Sequence, residues 1–298
     1  MNHNLDFQRI NKKIFISYRM KIEKMTRFIG ILIILLGNPV ILNGNGEDRQ
    51  QEFISDYPFV LGEKLFYKMN YSIFTVGRAE IHINPIKYYV SDKVCYKIDV
   101  YGRTAGAGAI VSRVNDQWGA LLDASDLLPV RSWRYIEEGR FRKKEFVDFD
   151  HDEGIIDVRV VNNETGKLKD PVIYEFEDPK MLDLISGYAF LRTINFDQYS
   201  IGDTIKLNGF FEDKIYKFNI LYMGIDNVDT RLGEIEAYKL VPVMPDNKLF
   251  AGENSITAWF ATDESRIPIR VEANMFIGRA GCEITGYEGL KMDPNFVD

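Results

Sequence analysis

Two arginines set beside aromatic rings are the residues of this 298-residue chain best placed to do chemistry. Arg131 alternates with Trp133 and Tyr135, and Arg270 precedes Phe276, in stretches whose period-two pattern reads as β-strand. A guanidinium offers a planar fork of donors to a carboxylate or phosphate, and neighbouring rings offer a face to an apolar chain or a sugar. These five residues are therefore the candidate ligand-binding set, and cross-strand bracing is the competing reading. Other chemistry is sparse. Outside the N-terminal region the histidines are His82, in the middle of an expected strand, and His151. No Gly-x-Ser-x-Gly or His-Glu-x-x-His occurs, and Val111 stands where the glycine run from Gly102 to Gly108 would need its third dinucleotide-loop glycine. From Asp148 to Gly154 aspartates alternate as in a calcium loop, but the glycine comes one residue late, which leaves a solvated hairpin turn. Glu137-Glu138 is a carboxylate pair of the kind a glycosidase uses, though separation in space decides that chemistry. Cys95 and Cys282, on expected strands, read as buried free thiols and make no zinc site. No catalytic residue, metal or cofactor is expected.

These side chains must be positioned by strands. Alternation predicts about thirteen of them: 64–71, 76–84, 94–101, 109–117, 128–136, 141–149 and 155–161, then 204–211, 215–223, 234–243, 255–261, 267–277 and 282–287. One helix is expected, over 178–193, with Asp178 as N-cap and Pro179 in the first turn. Its apolar positions Met181, Leu184, Ile185, Tyr188 and Leu191 recur at helical spacing, and Leu182, Ala189 and Phe190 widen the stripe, so the helix should be buried on more than one side. The fold class expected is mainly β: a large antiparallel meander curled into a barrel or half-barrel, with one central helix packed on or in it. Residues 45–298 are expected to form a single domain of two meander halves, 58–175 and 200–290, joined by that helix. The halves echo each other. Trp118, Asp123, Pro129-Val130-Arg131 and Gly139 match Trp259, Asp263, Pro268-Ile269-Arg270 and Gly278.

The first 44 residues read differently. Lys21, Lys24 and Arg27 precede an apolar run over 28–36 and then small residues, the pattern of a secretory signal peptide that starts at the first residue, at Met20 or at Met25. The run is too short and interrupted for a stable membrane span. Export to the periplasm or the extracellular space is expected. Without 1–44 the chain holds 30 basic and 42 acidic side chains, a net charge of −12. Such a balance argues against nucleic acid and anionic lipid surfaces as partners, and nothing fixes an oligomeric state.

Several motifs together resemble an exported bacterial family, domain of unknown function 3108. They are Gly62-Glu63-Lys64-Leu65-Phe66-Tyr67, Val76-Gly77-Arg78-Ala79-Glu80, Asp126-Leu127-Leu128-Pro129-Val130-Arg131 with Phe149-Asp150-His151, then Asp183, Ser186 and Arg192, and finally Arg266 to Glu272. The resemblance implies an exported β-rich fold and carries no catalytic residues. Three functions fit: a binding module for an apolar or amphiphilic molecule, lipid-like or glycan; a structural protein docking an envelope partner; and a carboxylate-dependent envelope hydrolase. The aromatic content favours the first.

Overall fold

The computed structural model describes residues 57–243, 255–276 and 278–297, so the leader expected over 1–44 lies outside the described residues. The first half runs β1 (Lys64–Tyr71), β2 (Phe74–Ile83), β3 (Tyr88–Val90), β4 (Lys93–Thr104), a short helix α1 (Ala107–Val111), β5 (Asn115–Asp123), β6 (Pro129–Glu138), β7 (Phe141–Asp150), β8 (Ile155–Val160) and β9 (Val172–Glu175). Then follow β10 (Met181–Leu182), helix α2 (Leu184–Arg192), a 3-10 turn (Phe196–Gln198), β11 (Thr204–Phe211), β12 (Lys214–Thr230), β13 (Gly233–Pro242), β14 (Ile256–Ala261), β15 (Pro268–Asn274) and β16 (Arg279–Glu288).

All sixteen strands belong to one sheet, ordered β10 through β16, then β1, β2 and β4 through β9, with β3 paired on β4. The two halves are thus two wings of a single sheet, stitched by β16 against β1 from Lys64↔Glu288 to Tyr71↔Ala280. Pairing is antiparallel except between β10 and β11. Alternation decides which side faces in. Leu65, Tyr67 and Met69 of β1, Ala120 and Leu122 of β5, and Ile269, Val271 and Ala273 of β15 share one continuous apolar core. The sheet curls around that core as a barrel-like shell that is not closed, because β9 and β10 lie at opposite ends of the strand order. Side chains cover the gap. Phe210 of β11 meets Phe149 of β7 edge-on at 6.4 Å and Tyr174 of β9 at 5.0 Å.

Helix α2 lies inside the curl. Ile185, Ser186, Tyr188, Ala189, Phe190, Leu191 and Arg192 are all buried, as a helix wrapped on every side requires. Each large apolar side chain among them contributes about 1.5–3 kcal/mol by burial. The expected helix over 178–193 is corrected at its start. Asp183 rather than Asp178 is the N-cap, in a capping box where its carboxylate accepts from the Ser186 N–H (2.7 Å) while its own N–H donates to Ser186 Oγ (2.8 Å). Asp178 instead makes an Asx turn, accepting from the Lys180 N–H (2.8 Å), and so feeds the chain into β10. A second correction concerns 109–117. Its first residues form α1, and the glycines before them serve close packing: a Cβ at Gly108 would run into the Val76 carbonyl.

Candidate functional site

The five sequence-derived residues divide by face. On β6, Ser132 and Arg134 pair with Ala120 and Trp118 of the inner face of β5, so Arg131, Trp133 and Tyr135 point outward. Arg131 is hydrogen-bonded to Asp148, its register partner on β7. Trp133 covers Gly119 within an outer cluster with Cys95, Leu121 and Val130. Tyr135 lies edge-on to Phe146 at 6.0 Å. Arg270 also points outward and donates to Glu283 on the next strand (2.6 Å) and to the Asp229 carbonyl. Phe276 is exposed in the β15–β16 turn. The structure thus brings Arg131, Trp133 and Tyr135 onto one outer surface, apart from Arg270 and Phe276. Cys95 and Cys282 are buried free thiols. Asp150 of the acidic turn accepts from the Asp152 and Glu153 N–H groups, and no cluster of metal ligands occurs among the described residues.

One residue along from Trp133, Arg134 points into the curl at the unclosed seam. Its guanidinium sits 5.8 Å from the Trp118 ring and 5.6 Å from the Phe211 ring, and those two rings stack at 6.0 Å. It bonds Glu145 of β7 and reaches Glu212 at 3.9 Å. These groups frame a cleft of about 40 Å³, lined also by Ser132, Trp133, Phe210 and the first residues of α2. Sequence reasoning missed Arg134 because it stands between two aromatic neighbours in a strand that is half-buried on both faces, which leaves no apolar alternation to set its parity.

Two carboxylates in this cleft are pushed apart. Burial raises the Asp183 carboxyl above its ordinary pKa, against the hydrogen bonds from Ser186, Ser132 and the Ile185 N–H. Burial pushes Glu145 the same way, but Arg134 and Lys143 outweigh it and hold Glu145 below the ordinary carboxylate range. At the far end of α2, Arg192 and Glu63 form an ion pair with side chains 0% and 1% exposed. Arg192 Nη1 and Nη2 donate to the two Glu63 oxygens at 2.5 and 3.0 Å, Nη1 also to Tyr188 Oη at 2.7 Å, and Nε and Nη2 to the Ser265 carbonyl. The motif residues Glu63, Asp183, Ser186 and Arg192 therefore seat the helix, its C-terminus on β1 and the β14–β15 turn.

A family model for a protein of unknown function, DUF3108, matches residues 67–285. The chain belongs to this family. No curated protein sequence matches. Among solved structures, a β-barrel-like protein of domain of unknown function 1849 from Brucella abortus superposes with a TM-score of 0.51 at 8% identity, over 78% of this chain and 99% of that one. A candidate lipoprotein from Parabacteroides distasonis is similar over 78% of this chain and 97% of its own, at 9% identity and a TM-score of 0.28. The first likeness shows a shared fold. In this DUF3108 chain, no helix among the described residues is long and apolar enough to cross a membrane.

Proposed function

We propose that this chain is an exported, non-catalytic binding protein that takes an apolar or amphiphilic molecule, lipid-like or glycan, at the seam of its sheet. Arg134 carries the reading: a guanidinium with side chain 12% exposed, set against a stacked pair of rings that bridges the unclosed seam. Such a group offers charge to an anionic or hydroxylated head and ring faces to the rest of the molecule. The cleft has room for only a few water-sized groups, so it would take the polar tip of a ligand whose remainder lies along the seam. Arg131 and Arg270 face away from the cleft and act in this reading as outer braces, whereas Arg134, although also bonded to a neighbouring-strand carboxylate, Glu145, lines it.

Mass spectrometry of lipid and glycan co-purifying with the exported protein tests this. Arg134→Met should lose the ligand and Arg131→Met should keep it, with melting temperature followed in both. A wild-type protein free of any such molecule, or an Arg134→Met protein that retains it, overturns the reading.

Carboxylate-dependent hydrolysis has one observation in its favour, the opposed shifts of Asp183 and Glu145 in one cleft. Against it, Asp183 is engaged by the helix N-terminus and Glu145 is neutralised by two cations.

A further inference from the structure

The two ends of the curled sheet differ in what their loops expose. At one end the β1–β2, β4–β5, β6–β7 and β15–β16 connections lie side by side, tied by hydrogen bonds from the Ser72 N–H to the Arg279 carbonyl, from the Ala105 N–H to the Val76 carbonyl and from the Gly139 N–H to the Arg113 carbonyl. Each carries a large apolar side chain into solvent: Ile73 is 89% exposed and Phe74 56% on the first, Ile110 88% on the second, Phe141 43% on the third and Phe276 65% on the fourth. Between them stand Arg113 and Arg140, both exposed and without a carboxylate partner among the described residues, and Arg279, whose side chain is 64% exposed. The opposite end carries exposed acids in its turns and at the C-terminus, among them Asp92, Asp126, Asp152, Glu153, Glu264 and Asp293. It too exposes apolar side chains, Tyr89 and Ile201, but among carboxylates. The first end also holds exposed acids, Glu137, Glu212 and Asp213, but the unpaired guanidiniums stand there, so the net charge of −12 that argued against lipid surfaces is unevenly distributed along the barrel axis.

We propose that the end bearing Ile73, Phe74, Ile110 and Phe276 docks onto an anionic lipid bilayer surface. Charge selects the occupant: unpaired guanidiniums beside apolar tips match a layer of phosphate head groups above acyl chains, and the acidic end is repelled by the same layer. Shape agrees. Side chains standing singly on four loops leave gaps that a rigid protein partner would have to fill one by one, whereas a fluid interface closes around each. The seam reaches this same end at the β11–β12 turn, through Phe211 and Glu212. Docking would thus bring the mouth of the cleft to the membrane. The inference stands on the rim and not on the cleft, so it survives or fails independently of any bound ligand.

Flotation with vesicles tests it, using the full chain as exported, with the N-terminus of every sample sequenced so that the leader is absent from all or common to all. Vesicles of phosphatidylethanolamine with phosphatidylglycerol should carry the wild type, vesicles of phosphatidylcholine much less, and added salt should weaken the binding. Ile73→Ser/Phe74→Ser/Phe276→Ser should lower the partition coefficient about tenfold or more, and Arg113→Gln/Arg140→Gln by a similar factor on anionic vesicles. Tyr89→Ser/Ile201→Ser at the acidic end should change nothing. All of these positions are exposed, so the melting temperatures should agree. A wild type that stays with the unbound fraction, serine variants that bind like wild type, or a control that loses as much overturns the proposal. So does a concentration-dependent dimer abolished by the serine changes, which would assign the rim to a second copy of the chain.

Discussion

Glu63 and Arg192 offer the sharpest test of how the helix is held. Both side chains are shut away from water, and the guanidinium is saturated by two carboxylate oxygens, the Ser265 carbonyl and the Tyr188 hydroxyl. Removing one partner strands the other charge in a low-dielectric interior, which costs about 3–5 kcal/mol. Arg192→Met and Glu63→Leu should each fall in that range. The double variant removes both charges and leaves the Ser265 carbonyl and the Tyr188 hydroxyl short of partners, neutral groups worth about 1–3 kcal/mol each when buried unsatisfied. It should therefore cost no more than Arg192→Met, which strands the same two groups and the Glu63 charge besides, and less than the sum of about 6–10 kcal/mol that independent sites would give. Equilibrium urea unfolding at pH 7, followed by circular dichroism, measures all three. Additive losses would refute the account of a coupled buried pair. Single losses under about 1 kcal/mol would show the pair to be solvated, against its burial.

Burial raises the Asp116 carboxyl to about 7, helped by Glu138 and Glu137 and opposed by the hydrogen bond from the Glu137 N–H. Between the ordinary carboxylate pKa and about 7 the folded chain holds more protons than the unfolded one, so this residue's contribution falls as pH rises through that window. Asp116→Asn keeps the acceptor and should flatten that slope, exceeding wild type at pH 8 by up to about 4 kcal/mol in urea titrations and converging with it near pH 4; parallel slopes would count against it. Leu191→Ala, deep in the core at 1% exposure, should cost about 2–5 kcal/mol and lower the melting temperature accordingly. Arg131→Met, at a half-exposed outer pair, should cost no more than about 1 kcal/mol in the same assay.

What the sequence disclosed follows from how strongly each segment alternates. Strands β1 and β11 fall on their expected bounds, 64–71 and 204–211, because a strict in-out pattern is bounded by a turn at each end. The sixteen strands exceed the expected thirteen mainly through β3, β9 and β10, too short to show a period. The helix start was misplaced because Asp-Pro serves a turn as well as a first helical residue, and only the reciprocal bonds of Asp183 and Ser186 separate the two. The site was half legible. Arginine beside aromatics on β6 was visible, but which arginine faces in depends on the pairing of β6 with β5, a tertiary fact. The Glu63–Arg192 pair, 129 residues apart, leaves no local pattern at all.

The echo between the halves has a three-dimensional counterpart, and its break explains where the cleft lies. In the β5–β6 turn Asp123 accepts from the Ser125 N–H (2.9 Å), and in the β14–β15 turn Asp263 accepts from the Ser265 N–H (2.8 Å). Both turns then place a non-glycine residue at positive φ two positions before the proline, Leu127 at 61° and Arg266 at 47°. The shared strain marks the two turns as one design used twice. Their surroundings differ. Ser125 is exposed, while Ser265 is fully buried because its carbonyl receives Arg192. One wing thus seats the C-terminus of α2 through its turn. The other wing grips the same C-terminus through Glu63, just before β1, and meets the N-terminus of α2 where Asp183 and Ile185 face Ser132 and Trp118 across the cleft. The helix is gripped by a buried ion pair at its C-terminus and by hydrogen bonds to Asp183 at its N-terminus, and at the latter the strand order also ends. The cleft lies at the seam for that reason, with Arg134 the charged side chain the first wing turns toward it.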